Sequence, residues 1–480
     1  MKHSPIQTIF FLAPLLAFMY LLPKLESNEE VVEALEEIPT WSELLEVDTV
    51  EIVDSDSLVY SPHIDTATID KESIDSVTIN LNRWSPSYAQ YNSVTIADSL
   101  VLEGYDTALS KLHNFFSKLE SISESDTEPV EVFHWGDSQI EGDRITGLLR
   151  SSWQKSWGGH GPGLVPAVQP IPALSIRQSN SGNWKRHTRF GITDSTLTHN
   201  AFGPMAAFCM TEGSGGVYFT PHPSGFKLNK KWTRAKFLIG GAPLGGNMTI
   251  SGNKTANRVF SIKPTNSGEH KEIVAYLGED ESDLSVEFEG YNLEVTGIEL
   301  GSDYGIQVHN IPMRGSAGLI FTKVASQHFA NSIASRNVGL VVLQFGGNVV
   351  PYISSEKSAD LYGRNFRRQL NFLKSILPDA AIIVIGPSDM GAHNEEGSTY
   401  PMLETVIKSL RKSVIEADCL FWDLNQAMGG QGTMEIWAQS DPRLASSDLI
   451  HFTPKGARLV GELFDTALRA EYKSWVEWKH

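Results

Sequence analysis

The sequence predicts an α/β fold in which a mostly parallel sheet is covered by helices on both faces and is interrupted by an inserted β-sandwich. Apolar strands alternate with amphipathic helices on both sides of a central region, which is typical of a parallel sheet. The central region holds short strands separated by glycine-rich turns, a pattern typical of a sandwich. A chain of 480 residues is about three times the usual domain length, so more than one folded unit is expected.

The first part of the α/β domain is predicted at 97–165. Apolar residues recur at helical spacing over 109–119 and are followed by the run VEVFHW at 130–135, so a helix precedes a buried strand. Apolar residues then share one face over 140–157, which predicts a second helix. Ser138 therefore lies at a turn between a strand and a helix.

The inserted β-sandwich is predicted at 166–304. Turn signals recur there every ~8–12 residues, and no helical pattern interrupts them. Seven runs read as strands: GGVYFTPH, AKFLIGG, NMTISGN, RVFSIKP, EIVAYLG, LSVEFEG and LEVTGIEL.

The second part of the α/β domain is predicted at 305–480. Its expected elements are the strand GIQVHN, a helix at 321–335, a strand at 339–345, a helix at 357–377, a strand at 380–386, a helix at 402–417, a strand at 419–424 and a helix at 454–470. Because this alternation continues the pattern of the first part, the sandwich is an insertion between the first and second strands of the sheet.

The N-terminal residues 1–23 are predicted to be an export segment, since Lys2 precedes the apolar run IFFLAPLLAFMYLLP. The stretch 6–22 has 17 residues, fewer than the ~20 that usually span a bilayer. A signal-anchor and a cleaved signal peptide are both open, and the lack of a small-x-small cleavage pattern favours the anchor. The rest of the chain is then exported to the periplasm or cell envelope, with residues 6–23 contacting the inner membrane.

The net charge of −18 is concentrated in an acidic segment. Residues 29–77 hold 15 Asp and Glu against one lysine, a balance of −14, so all other residues together carry −4. Acidic, Ser- and Thr-rich composition predicts that 24–80 is a disordered tether. The remainder offers no basic stripe, which argues against nucleic acid as a partner.

Two motifs at opposite ends of the α/β unit carry candidate catalytic groups. Gly136-Asp137-Ser138 follows the first predicted strand, and Asp448 and His451 precede the last predicted helix. A serine nucleophile needs a base that accepts its proton and a carboxylate that orients the base. Each motif alone is weak, since GDS occurs by chance in roughly one such chain in four and DxxH about once. Their positions predict that the three side chains converge at one edge of the sheet.

Two further segments follow predicted strands and offer hydrogen-bond donors. Gly346-Gly347-Asn348 comes after VVLQF, and the segment from Asn310 to Gly315 comes after GIQVHN. An asparagine amide and a glycine N–H are suitable donors for an oxyanion, although either segment alone is also consistent with a simple turn.

With these four motifs in this order, the sequence resembles the SGNH (GDSL-type) hydrolases, whose blocks contribute Ser, Gly, Asn and His. The resemblance covers 97–165 and 305–475 and implies a three-layer α/β/α, flavodoxin-like domain. It implies that Ser138 is the nucleophile, His451 the general base and Asp448 the carboxylate that orients it.

The same resemblance implies an oxyanion hole formed by Ser138, Gly315 and Asn348. It implies ester hydrolysis without a metal or cofactor, and no HExxH or CxxC motif occurs. Cys209 and Cys419 are too few for a disulfide framework or a zinc site and are interpreted as buried thiols.

A narrower resemblance rests on the runs GDSQIEGDRITGLLR and WGGHGPG followed by the β-rich insertion. Together they look like exported bacterial peptidoglycan O-acetylesterases, in which a carbohydrate-binding-like jelly-roll module interrupts the catalytic domain. This implies an exported serine esterase that removes O-acetyl groups from a cell-envelope or other polysaccharide, with peptidoglycan favoured. The sequence departs from those enzymes at Gln139, where His is common, and in its acidic tether.

Other interpretations stay open. A polysaccharide O-acetyltransferase would use the same triad, a non-catalytic glycan-binding protein would use the sandwich alone, and a lipase would need an apolar lid that is not obvious here. His134 and His160 are interpreted as structural residues, although His160 and Trp437 are also candidates for the border of the active site.

Overall fold

The computed structural model describes residues 101–123, 125–126, 128–191, 194–266, 268–333, 336–392 and 399–479. The predicted export segment and acidic tether lie outside these residues. None of the helices in the described ranges is long and apolar enough to cross a bilayer.

A parallel sheet of five strands forms the centre of the α/β part. Its strands are β1 (Val130–Gly136), β10 (Ile306–Pro312), β11 (Val338–Gln344), β12 (Ala381–Ile385) and β13 (Leu420–Trp422). The order is β10-β1-β11-β12-β13, and every neighbouring pair is parallel. Each of these strands is buried along its length except for the end of β10, as expected for a sheet covered on both faces.

Helices cover both faces of this sheet. They are α1 (Asp106–Glu120), α2 (Thr146–Trp157), α3 (Ser326–Ile333), α4 (Glu356–Ile376), α5 (Leu403–Glu416), α6 (Leu424–Met428), α7 (Thr433–Gln439) and α8 (Pro454–Lys479). Val132 of β1 belongs to the apolar core that contains Phe116 of α1, whereas Phe133 belongs to the core that contains Phe366 of α4. Successive side chains of a strand thus enter opposite cores, which gives three layers.

The second sheet is antiparallel and is built from residues between β1 and β10. Its strands are β2 (Gly163–Val165), β3 (Ile176–Thr188), β4 (Ala207–Pro221), β5 (Trp232–Gly241), β6 (Gly246–Gly252), β7 (Arg258–Ile262), β8 (Lys271–Glu281) and β9 (Leu284–Gly301). The main order is β3-β4-β9-β5-β8, while β2 and β6 also pair with β9 and β7 pairs with β6. The predicted α/β fold class is confirmed, and the jelly-roll description and the domain boundaries stay predictions.

Several elements differ from the sequence prediction, and the short helices α6 and α7 and the strand β2 were not predicted. The helix expected over 321–335 is shorter, because a 3₁₀ turn at Phe321–Lys323 precedes α3. The last helix continues to Lys479, beyond the predicted end at 470. Strand β3 was not predicted, since its sequence IRQSNSGNWKRHT is mostly exposed and lacks apolar alternation.

A buried cluster of charges joins the two sheets. Arg336 Nη1 donates to Glu131 Oε2 of β1 (2.7 Å) and to Glu299 Oε2 of β9 (2.6 Å), and His309 Nε2 of β10 lies 3.2 Å from Glu131 Oε2. Glu131, Glu299 and His309 are close enough to hold a cation, but the Arg336 guanidinium already supplies the positive charge between the two carboxylates. Burial alone would raise the pKa of Glu299, yet Arg336, Lys236, His309 and Arg234 hold it well below its usual range.

The register of the parallel sheet sets the position of the functional site. Gly136 at the end of β1 lies opposite Pro312 of β10 and Gln344 of β11, so the loops that follow these three strands leave the sheet side by side. The start of α8 at Pro454 comes shortly after His451 in the chain. Ligands of open parallel sheets bind at this carboxyl edge.

Candidate active site

Ser138, His451 and Asp448 form one chain of hydrogen bonds. Ser138 Oγ lies 2.9 Å from His451 Nε2, and His451 Nδ1 lies 2.6 Å from Asp448 Oδ2. Ser138 begins the 3₁₀ helix Ser138–Asp143, which directly follows β1 and its cap residue Asp137. The structure therefore brings Ser138 to Asp448 and His451, which lie more than 300 residues further along the chain.

The Asp448–His451 loop is tightened by backbone hydrogen bonds. Asp448 Oδ1 accepts from the N–H groups of Ile450 and His451, both at 2.9 Å, and Leu449 has a left-handed φ of 55°. Burial would raise the pKa of Asp448, but its hydrogen bonds to His451 and to the backbone hold it below the usual value. An ionised Asp448 favours the proton on His451 Nδ1, which leaves Nε2 free to accept a proton from Ser138.

Asn348 is fixed beside the serine turn. It lies in the 3₁₀ helix Gly347–Tyr352 after β11, and its Nδ2 donates to Asp137 Oδ2 (3.1 Å) and to the Ser316 carbonyl oxygen (3.2 Å). Ser138 and Asn348 line the same cleft. The amide donor predicted from the sequence is thus held by two hydrogen bonds at the edge where Ser138 lies.

Gly315 occupies an exposed turn after β10. Its φ is 73°, and a side chain placed there would meet no atom within 4 Å, so the left-handed backbone is what favours glycine. Ser316, the next residue, is the one whose carbonyl contacts Asn348. Gly315 is not among the described residues that line the cleft of Ser138, and its oxyanion role stays a prediction.

Asp137 is a buried carboxyl group that the sequence reading did not assign to the site. Its Oδ1 accepts from the N–H of Gln139 (3.0 Å), and its Oδ2 accepts from Asn348. Burial raises the pKa of Asp137 to about 6 against the opposing effects of the Gln139 N–H, His451 and Asn348. Asp137 links the serine turn to Asn348. Its position within the GDS motif is the sequence feature from which its place in the site could have been predicted.

Gln139 and Arg144 join the serine turn to the histidine loop. Gln139 Nε2 donates to the Ile450 carbonyl oxygen at 2.6 Å. Arg144 donates to the carbonyl oxygens of Phe452 (2.7 Å) and Ser138 (3.3 Å). From the sequence, Gln139 stands out only as a departure from the resembling enzymes, and Arg144 does not stand out, because no local pattern shows which loop these side chains reach.

We call the space beside Ser138 the Ser138 cleft and define it by Ser138, Asn348, Tyr352, Met390, Ile450 and His451. It encloses about 200 Å³ and is open to solvent. Tyr352 is 85% exposed. The cleft thus combines the hydrogen-bonded Ser138 and His451 side chains, an apolar wall and an exposed aromatic ring.

Three residues considered from the sequence lie elsewhere. His134 is buried beside Thr146, and burial lowers its pKa to about 3. His160 contacts Thr233 and Tyr304, and burial lowers its pKa to about 4. Trp437 is buried in an apolar core. The structural interpretation of the two histidines fits these positions, and neither His160 nor Trp437 borders the Ser138 cleft.

The fold is similar to that of solved ester hydrolases. A structure described as "Peptidoglycan O-acetylesterase in action" aligns with a TM-score of 0.60 and 22% identity over 75% of this chain and 96% of that one. A family two carbohydrate esterase from Clostridium thermocellum aligns over 61% of this chain and 100% of that one, with 11% identity and a TM-score of 0.26. A lipase/acylhydrolase from Enterococcus faecalis covers 35% of this chain and 77% of that one, with 17% identity and a TM-score of 0.26.

No family model matches this sequence, and neither does any curated protein. The first of the three structures shows that the chain shares the fold of that O-acetylesterase, while the other two align too weakly to add to this. The resemblance predicted from the four motifs is therefore confirmed at the level of the fold.

Proposed function

We propose that this protein is an exported serine esterase that removes O-acetyl groups from a cell-envelope or other polysaccharide. The observation that carries the proposal is the hydrogen-bonded chain from Asp448 through His451 to Ser138. It lies at the carboxyl edge of a parallel sheet whose fold is shared with a peptidoglycan O-acetylesterase. A nucleophile, a base within hydrogen-bond reach and a carboxylate behind the base are the parts that ester hydrolysis through an acyl-enzyme requires.

The proposed reaction has two steps. Ser138 Oγ attacks the acetyl carbonyl carbon while His451 Nε2 takes the serine proton, and the proton then passes to the departing sugar oxygen. The C–O bond to the sugar breaks and an acetyl-serine remains. Water, deprotonated by His451, attacks this ester, acetate leaves, and the proton returns to Ser138.

The oxyanion of each tetrahedral intermediate needs donors that are already in place. We assign the Ser138 N–H, the Gly315 N–H and the Asn348 side-chain amide to this role. Asn348 lines the same cleft as Ser138, and its two N–H groups contact Asp137 Oδ2 and the Ser316 carbonyl oxygen. Because a side-chain amide has only two N–H donors, one of these hydrogen bonds is shared with the oxyanion or replaced by it. The exposed turn and left-handed φ of Gly315 leave its backbone accessible.

A carbohydrate substrate is supported by the exposed Tyr352 ring at the Ser138 cleft. A flat aromatic surface packs well against the apolar face of a sugar ring, and its hydroxyl group can remain in water. Peptidoglycan is the favoured polymer because the similar structure is described as a peptidoglycan O-acetylesterase. We further propose export to the periplasm or cell envelope, with residues 6–23 as the membrane contact.

The test is acetate release from a chromogenic acetyl ester and from O-acetylated peptidoglycan, measured with the wild-type protein and with Ser138→Ala. The matched control is Ser156→Ala, which removes the hydroxyl of an exposed serine on α2. We expect release from both substrates by the wild type and the control, and loss of release in Ser138→Ala. A folded wild-type protein that releases no acetate would contradict the proposal. Transfer of acetyl to an added glycan acceptor would indicate an acetyltransferase instead.

A further inference from the structure

A second cleft is lined by the end of the 3₁₀ helix that begins at Ser138, and we call it the Arg186 cleft. It is defined by Glu141, Leu164, Ile171, Arg186, Phe190 and Arg314 and encloses about 200 Å³. Its walls come from the 3₁₀ helix that begins at Ser138, from the end of β10 and from strand β3 of the antiparallel sheet. The two sheets therefore meet around this cleft.

The Arg186 cleft is close to the nucleophile. Ser138 and Glu141 are three residues apart, so their Cα atoms are separated by at most about 11 Å. Ser138 lines one cleft and Glu141 lines the other, on the same short helical segment. A polymer held at Ser138 can thus place a neighbouring substituent in the Arg186 cleft.

The acidic residues of this cleft already have cationic partners. Glu141 is paired with Arg314, whose Nε donates to Glu141 Oε1 at 2.8 Å. Asp143 accepts two hydrogen bonds from Arg150, at 2.6 and 3.0 Å. Neither carboxylate is left to neutralise a further cation in the cleft.

Arg186 has no carboxylate partner among the described residues. Its Nε is buried and makes no hydrogen bond within the described part of the chain, and its guanidinium lies 5.9 Å from the centre of the Phe190 ring. Burial lowers the pKa of Arg186, yet a guanidinium stays protonated at neutral pH. A half-buried guanidinium next to apolar walls is a strong site for a bidentate carboxylate.

We propose that the Arg186 cleft binds a carboxylate-bearing substituent of the same polysaccharide whose O-acetyl group lies at Ser138. The proposal rests on the polysaccharide esterase function proposed above, and it adds that the substrate carries a negative charge. The apolar walls formed by Leu164, Ile171 and Phe190 fit the aliphatic part of such a substituent, and Arg186 fits its carboxylate.

Equilibrium binding tests the proposal without requiring catalysis. The probes are a muramyl oligosaccharide with its free carboxylate, the same oligosaccharide as its carboxamide, and an oligosaccharide that carries uronic acid instead. Each is titrated into the full chain carrying Ser138→Ala. We expect either the muramyl carboxylate or the uronic acid to bind at least about tenfold more tightly than the carboxamide. The probe that binds more tightly identifies the natural substituent.

Second-site variants assign that preference to Arg186. In the Ser138→Ala background, Arg186→Gln is expected to remove the preference for carboxylate over carboxamide, and Arg186→Lys to keep part of it. The matched control is Arg177→Gln, which changes an exposed arginine on the same strand outside the cleft and is expected to keep the preference. Thermal unfolding of each variant establishes that it is folded.

Three results would overturn the proposal: equal affinity for carboxylate and carboxamide, a preference that persists in folded Arg186→Gln, or no binding of any probe. Failure of the esterase function gives a different pattern, in which wild-type protein releases no acetate while the carboxylate preference and its dependence on Arg186 remain. The two proposals therefore fail separately.

Discussion

Gln139 Nε2 donates a hydrogen bond to the carbonyl oxygen of Ile450 at 2.6 Å and so ties the residue after Ser138 to the residue before His451. The contact joins positions 311 residues apart in the chain. Gln139 Oε1 also lies 3.5 Å from the Phe452 N–H. Gln139 is therefore a positioning residue that sets the separation of the Ser138 turn and the His451 loop.

The first prediction concerns this N–H donor. Gln139→Glu keeps the size of the side chain and removes the donor, while Gln139→Ala removes both. We expect both variants to lower kcat for a chromogenic acetyl ester by about tenfold, because one buried hydrogen bond that aligns the base is lost. Full activity in folded Gln139→Glu would show that Gln139 only fills space.

The second prediction concerns Asp448. Its pKa is held below the usual value, so the carboxylate is ionised at neutral pH and accepts the His451 Nδ1 proton. Asp448→Asn removes this charge and favours the wrong imidazole tautomer, and we expect kcat to fall by about 10³–10⁴. Steady-state kinetics measures the change, with Asp379→Asn as the control because Asp379 is exposed in the loop before β12. A loss of less than tenfold in a folded Asp448→Asn protein would remove Asp448 from the triad.

Much of the α/β part was predictable because its strands are buried on both faces and appear as continuous apolar runs. β1 and β11 were found in this way, and Ser138 and Asn348 were placed by their positions after those strands. β3 was missed because its exposed polar sequence resembles a loop. The hydrophobic pattern of a sequence indicates which residues are buried. It therefore gives no signal for a strand whose side chains are exposed at the edge of a sheet.

The supporting contacts of the site were not predictable for a different reason. Gln139 and Arg144 reach the histidine loop across more than 300 residues, and no local pattern encodes the partner of a long-range hydrogen bond. The same holds for Arg186. In the sequence it is one polar residue of a segment that looks exposed, and only the antiparallel sheet places it in a cleft with Glu141 and Arg314. Motifs predicted the reacting groups, whereas the contacts that hold these side chains depend on the tertiary fold.

The third prediction concerns the pH dependence of stability. Burial raises the pKa of Asp137 from 3.8 to about 6, so between pH 4 and pH 6 the folded protein holds a proton that the unfolded chain releases. The contribution of Asp137 to the unfolding free energy is therefore fully present below pH 4. It decreases by about 3 kcal/mol as the pH rises to 6, because the pKa values in the folded and unfolded states differ by about two units. In urea titrations, we expect the unfolding free energy of the wild type minus that of Asp137→Asn to decrease by about 3 kcal/mol between pH 4 and pH 7. A difference that stays constant over this range would contradict the raised pKa.

The fourth prediction concerns Arg336, which joins the two sheets. Its guanidinium lies between Glu131 and Glu299, and all three side chains are about 1% exposed. Arg336→Met removes the positive charge and leaves two buried carboxylates without their main partner, so we expect the unfolding free energy to fall by about 3–5 kcal/mol. The control is Arg367→Met, which breaks the partly exposed ion pair with Glu416 and is expected to cost less than about 1 kcal/mol. Urea unfolding measures both variants, and equal losses would mean that burial of the Arg336 cluster contributes nothing beyond a surface ion pair. A larger loss in Arg336→Met would show that the parallel and antiparallel sheets depend on this cluster for their stability.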